Sequence, residues 1–411
     1  MSSANLVSIT YVRETVYGTP DTPLSGVTAE TARFTSETLS GTPDTAESVN
    51  IRTDRSSSGL VVTGLTVGGD INIELAAGTF YEDFIEAAMM GDWVPAESQS
   101  GSITLTPIDD YTATLTTDGD MTTIGPGVAV GDVIQIVPAT GPSITVTVIS
   151  VESTTSCTVA TKTGQAAYGP STADLTIAEY VIVGSKQIGN SFTIGKAYKD
   201  VTHLATTDEH SQTYAGSYVS GFNVAATYGE ITNGTFNTVA NGYKLENPSM
   251  EQQIVTAGGT VNPAATTQSL NASVDVPLVV TNGTSAPYCI ESINLTLDNG
   301  MEPSNCLGSV APKNYTLGQA TITVDVSTYL SDPSYDAYQP NKLSQVPVSI
   351  GFQRSNTDGG YFFQMPSVQL TFPDPSADGI NEQTMLDASG TASAGPNGES
   401  PLKISKLVGD Q

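Results

Sequence analysis

The sequence predicts an all-β protein with one or two short helices, arranged as tandem sandwich or barrel modules with a small inserted β-domain. Three observations carry this. Thr, Ser, Val and Gly dominate while Lys and Arg together number 14, a bias towards strands and turns. Short runs alternating polar and apolar recur along the chain, the signature of strands with one wet and one dry face. The 411 residues with 38% hydrophobic content suffice for two or three packed units.

Taken in order, residues 1–51 are punctuated by Gly18-Thr19-Pro20 and Gly41-Thr42-Pro43 and read as an N-terminal arm. Residues 60–75 hold two strand-like runs broken near Gly68-Gly69, the clearest being Asp70-Ile71-Asn72-Ile73-Glu74-Leu75. Residues 79–89 follow as an amphipathic helix, with Phe80, Phe84, Ile85 and Ala88 on one stripe and Thr79 as its expected cap. From 95 to 186, short Thr/Val strands near 102–105, 112–115, 131–137, 144–151, 155–160 and 175–183 suggest a small barrel or sandwich inserted into a larger unit.

Beyond the insert, the elements recur in the same sequence. Asp70–Leu75 matches Thr321–Val326, and Tyr81, Glu82 and Phe84 match Tyr335, Asp336 and Tyr338. Ser191–Gly195 matches Val348–Phe352, Ser217–Thr227 matches Phe363–Phe372, and Gly229–Ala240 matches Gly379–Ala392, with Thr235-Phe236 near Thr384-Met385. A duplication follows. Residues 52–94 with 187–243 form the first module, 95–186 the insert, 244–287 a linker, and 288–411 the second module with a C-terminal arm.

The formal charge of −28 rules out ordinary contact with phosphate backbones, which needs Lys and Arg to release counterions. Between Ser56 and Thr161 there is no basic residue and there are thirteen carboxylates. That fits either a surface kept apart by like charge or one that stays near nucleic acid without sticking. No run approaches a membrane span of roughly 20 apolar residues. Arg13 and Glu14 stand where a secretion signal needs an apolar core, so folding in the cytosol is expected. Cys157, Cys289 and Cys306 make no disulfide framework; buried thiols are expected, with a Cys289–Cys306 bridge as the alternative.

No constellation for catalysis stands out. The two histidines, His203 and His210, fall in the polar stretch 200–213, expected to be a loop, without a nucleophile partner. Asp109-Asp110 and Asp118-Gly119-Asp120 lack the spacing of a calcium loop and read as turns. Residues 64–69 are Gly-rich but lack the Lys-Ser/Thr of a phosphate loop. No enzymatic activity, metal or cofactor is expected.

Several stretches together resemble the tail tube (major tail) proteins of long-tailed phages. They are Tyr11–Pro20, Ile51–Arg55, Gly69–Leu75 followed by Phe80–Trp93, Leu295–Gly300 and Glu382–Ala388. Gly127–Ile134 is similar to small β-domains that such proteins carry at this place. The resemblance implies a structural virion protein of the phage tail, assembled in the host cytoplasm with other tail proteins. Its rings would stack into a tube through which DNA passes without specific binding. It also implies that the polar faces Asp70, Asn72, Glu74 and Thr321, Thr323, Asp325 line the bore. Two modules per chain in a sixfold ring would make each ring a trimer. The alternatives are a tail-tip or capsid decoration protein, or a bacterial surface-layer or adhesin protein.

Overall fold

The computed structural model describes residues 6–18, 26–49, 59–125, 127–139, 143–161, 165–187, 189–202, 208–275, 278–281, 284–285, 289–331, 345–354, 359–374, 383–395 and 398–407. Two sets of four strands carry the architecture. In the first, Leu60–Glu74 pairs with Asn233–Ala240, which pairs with Glu209–Thr227, which pairs with Ser191–Thr202. In the second, Thr321–Tyr329 pairs with Met385–Ser393, then Gly360–Thr371, then Gln345–Gln353. Both quartets pair in the same order, all antiparallel. Ile290–Asp298 joins them, lying between Glu209–Thr227 and Thr321–Tyr329.

The long strands Glu209–Thr227 and Gly360–Thr371 each run through two layers. Their C-terminal parts lie in a front sheet of eight neighbours: Ser40–Glu47, Leu60–Glu74, Asn233–Ala240, Glu209–Thr227, Ile290–Asp298, Thr321–Tyr329, Met385–Ser393 and Gly360–Thr371. Their N-terminal parts belong to a back layer. There Val7–Arg13 flanks Ser191–Thr202, Gly242–Glu246 flanks Glu209–Thr227, and Lys403–Leu407 lies between Gly360–Thr371 and Glu179–Ile182. One core fills the space between, from Ile71, Ile73 and Phe236 to Ile322, Val324 and Phe363.

Helix α1 spans Thr79–Met89 and buries Phe80, Tyr81, Phe84, Ile85, Ala87, Ala88 and Met89. Phe84 stacks on Phe192 at 4.9 Å and meets Tyr11 edge-on at 5.2 Å, while Phe80 sits 5.9 Å from Phe236. Such offset and edge-on contacts add to the burial of the rings. The cap differs from expectation: Gly78 precedes the helix without a side-chain hydrogen bond, and Thr79 is its first helical residue. The expected counterpart around Tyr335, Asp336 and Tyr338 lies outside the described residues.

Residues 97–177 close into a six-stranded barrel of Glu97–Pro107, Thr112–Thr117, Val133–Pro138, Ile144–Ser153, Ser156–Ala160 and Tyr168–Ile177. It has its own core, including Ile103, Leu115, Ile136 and Val148. Its acidic turns follow turn chemistry. The Asp109 carboxylate accepts from the Tyr111 and Thr112 amides, and Asp120 from the Thr122 amide and hydroxyl; these bonds hold both groups below the usual carboxylate range.

Several expectations are corrected. Residues 1–51 are not merely an arm: Val7–Arg13, Thr28–Thr31, Ser36–Glu37 and Ser40–Glu47 are strands of the main sheet. Pro43 misleads there because it sits on an edge strand opposite Leu65, where a missing amide costs no sheet bond. The linker 244–287 contains helix α2, Met250–Thr256, with a capping box between Ser249 and Gln252. His210 lies in the strand Glu209–Thr227 rather than a loop, and His203 lies outside the described residues. Cys157 is buried, its thiol pushed up to about 12 by burial, but Cys289 and Cys306 are exposed free thiols.

Candidate functional site: the polar face of the front sheet

Strand alternation builds this site. In Leu60–Glu74, Ile71 and Ile73 are buried while Asp70, Asn72 and Glu74 are half-buried on the other face; in Thr321–Tyr329, Ile322 and Val324 are buried while Thr321 and Asp325 are exposed and Thr323 is half-buried. The registers align these six residues, together with others that the sequence reading missed, into rows across the sheet.

The central row is uncharged. Ser36, Asn72, Thr235, Asn223, Thr296, Thr323, Thr391 and Gln369 lie opposite one another in turn. Asn72 donates to Ser36 Oγ at 2.9 Å and accepts from Thr235 Oγ1 at 2.8 Å. Asn223 donates to Thr296 Oγ1 at 2.9 Å and to Asn294 Oδ1 at 2.5 Å, across the junction between the quartets. This register also relocates one equivalence. Thr391, not Thr384, faces Thr323 as Thr235 faces Asn72.

Carboxylates flank the central row. On one side, Asp70, Asn237, Gly221, Asp298 and Thr321 succeed one another, with Asn237 donating to Asp70 at 2.8 Å. On the other, Glu74, Asn233, Ala225, Asn294, Asp325 and Ser389 do so. None of these positions holds Lys or Arg. Glu74 differs from the other acids: at the sheet's end it accepts from Ser269 Oγ at 2.7 Å and lies 3.7 Å from the Arg33 guanidinium. The partner rows were legible in principle, since Asn233–Ala240 and Ile290–Asp298 alternate as Asp70–Leu75 does.

Among the described residues, the outer strand Ser40–Glu47 pairs only with Leu60–Glu74, and at the far end Leu370 and Thr371 pair only with Met385–Ser393. A sheet whose described outer strand Ser40–Glu47 has one free side, and which presents one water-facing polar surface, defines a structural β-subunit that can be extended by pairing. Residues 4–394 match the phage tail tube protein family, and the chain belongs to that family. It is therefore a structural component of a phage tail that self-assembles with other tail proteins. No curated protein matches the chain. No helix among the described residues is long and apolar enough to cross a membrane.

Proposed function

We propose that three copies of this chain join their front sheets into one closed ring, and that stacked rings form the conduit for genome delivery. The observation that carries this is the junction inside the chain. Glu209–Thr227 of the first quartet pairs with Ile290–Asp298, and the second quartet repeats the order of the first. The same kind of pairing between the end of Gly360–Thr371, where Leu370 and Thr371 pair only with Met385–Ser393 among the described residues, and the outer strand Ser40–Glu47 of a neighbouring copy would continue the sheet. Closure by three chains places six duplicated modules around the axis, a trimer with approximate sixfold symmetry. Assembly in the host cytoplasm is part of the same proposal.

In this arrangement the polar face lines the bore, with Asp70, Asn72, Glu74, Thr321, Thr323 and Asp325 facing the DNA. Carboxylates repel phosphate, and the amide and hydroxyl row between them offers no fixed cation to hold it. The mass per unit length of assembled tubes tests the stoichiometry: three chains per ring carry half the mass of six at the same rise, and a count of six overturns the trimer. The triple variant Asp70→Lys, Asp298→Lys, Asp325→Lys tests the bore. Glu74 is left alone because Arg33 and Ser269 already engage it. Tubes should still form, genome release should slow, and added salt should relieve the block; release at the parent rate sinks the assignment.

A further inference from the structure

The barrel belongs to the first quartet in sequence but rests on the second in space. Its incoming and outgoing ends meet at Val94 and Tyr180, whose backbone groups exchange hydrogen bonds of 2.7 and 3.1 Å. From there the outgoing strand Glu179–Ile182 pairs with Lys403–Leu407, the last strand described. That strand has Gly360–Gln364 on its other edge. Its inward side chain Ile404 lies in the main core.

The outward face of these strands is covered by the barrel. Val133, Ala160 and Ala178 form a separate apolar cluster with Phe362 and Leu407, all at most 2% exposed. Polar contacts surround it: Lys403 Nζ lies 2.6 Å from Asp132 and 4.2 Å from the Tyr180 ring centre, and Thr145 Oγ1 donates to Gln353 Oε1 at 2.8 Å. Gln364 also donates to the Gly131 carbonyl. Neighbouring side chains of the same strand point opposite ways: Phe363 fills the main core while Phe362 fills the contact with the barrel.

We propose that the barrel is a clamp that holds the C-terminal strand and the back layer of the second quartet in place. An appendage carried for display would leave its host sheet complete when removed. Here removal uncovers Phe362 and Leu407 and takes away the ion pair of Lys403. The C-terminal strand would then keep only its sheet neighbours and its inward contacts. The inference is independent of how the chains assemble into rings, because every contact lies within one chain.

The test uses the full chain in its unassembled form, with Phe362→Ser and, separately, Leu407→Ser. Hydrogen exchange reads the amides of Lys403–Leu407 and of the barrel strands. In the parent, barrel and C-terminal strand should open together. Each variant should speed exchange of Lys403–Leu407 by about tenfold or more while the barrel's inner amides stay protected. A third variant removes Glu97–Ile177 and joins Ala96 to Ala178 through a short Gly/Ser linker. It should lose protection at Lys403–Leu407, and adding Phe362→Ser to it should cost nothing further. Parent-like protection of that strand in the deletion, or no response to either serine variant, overturns the clamp.

Discussion

The two quartets share one face and differ on the other. Their front strands alternate alike, with Ile71 and Ile73 answered by Ile322 and Val324 and with Asn72 answered by Thr323. Their back layers are covered by different means. On the first, α2 lies over Gly195, where an added Cβ would come 2.9 Å from Met250; Met250 and Ile254 pack with Val12 and Ala29. On the second, a whole barrel lies over Phe362 and Leu407. In the proposed ring, the face that continues into equivalent neighbours keeps its pattern, whereas a face that needs only to be dry accepts any cover. The quartets thus diverge where burial alone is required.

The interior of the first quartet is the sharpest place to break this comparison. Phe84 is fully buried among Tyr11, Phe80, Phe192 and Phe236. Phe84→Ala should cost about 3–5 kcal/mol of stability, read from denaturant unfolding. Exchange protection should fall most in Ser191–Thr202 and Val7–Arg13. Equal loss across both quartets would show that they unfold as one unit.

A smaller effect is expected at Gly68-Gly69, where Leu60–Glu74 runs on as one continuous strand although the sequence suggests a break there. Gly68 and Gly69 have φ of 145° and 148°, and a Cβ on Gly68 would fall 2.3 Å from the Thr238 carbonyl oxygen. Gly68→Ala should destabilise by about 1–3 kcal/mol. The matching position before Thr321 in the second quartet is Gln319, with no left-handed backbone there, so Gln319→Ala should be silent. Thermal unfolding of the two variants side by side checks this.

The junction comes next. Asn223→Ala removes hydrogen bonds to Asn294, Leu295 and Thr296 and should cost about 1–2 kcal/mol. Pairing this change with Thr296→Ala in a double-mutant cycle isolates the coupling across the junction; strictly additive effects would mean that the row contributes nothing there.

The smallest effect concerns pH. Glu246 is held below the usual carboxylate range: burial alone would raise it, but hydrogen bonds from Lys244, Thr213 and Gln253 outweigh that. A lowered folded pKa adds stability above the unfolded value of ~4.3, lost as pH falls through the folded value. The gain is on the order of 0.5 kcal/mol, since Lys244 is largely exposed. Unfolding midpoints between pH 6 and pH 3 should fall less for Glu246→Gln than for the parent. An identical fall in both would remove Glu246 from the account.

Much of this was legible in the residues. The alternation of Asp70–Leu75 fixed its wet and dry faces, the stripe of Phe80, Phe84 and Ile85 fixed the helix, and the Thr/Val runs between 95 and 186 pointed to a small barrel or sandwich, because each pattern is local and repeats with the period of its own backbone. Tertiary structure alone decided the rest. Val7–Arg13, Thr28–Thr31, Ser36–Glu37 and Ser40–Glu47 became strands because open edges accepted them, although the Gly-Thr-Pro punctuation of this region suggests an arm. Asn223, Thr235 and Thr296 came into one row with Asn72 and Thr323 only through register between distant strands. Nor does any residue in 97–177 announce that the barrel will rest on Phe362 and Leu407. A strand's periodicity says which side is dry, but the identity of what covers that side depends on pairings hundreds of residues apart, and these leave no local trace.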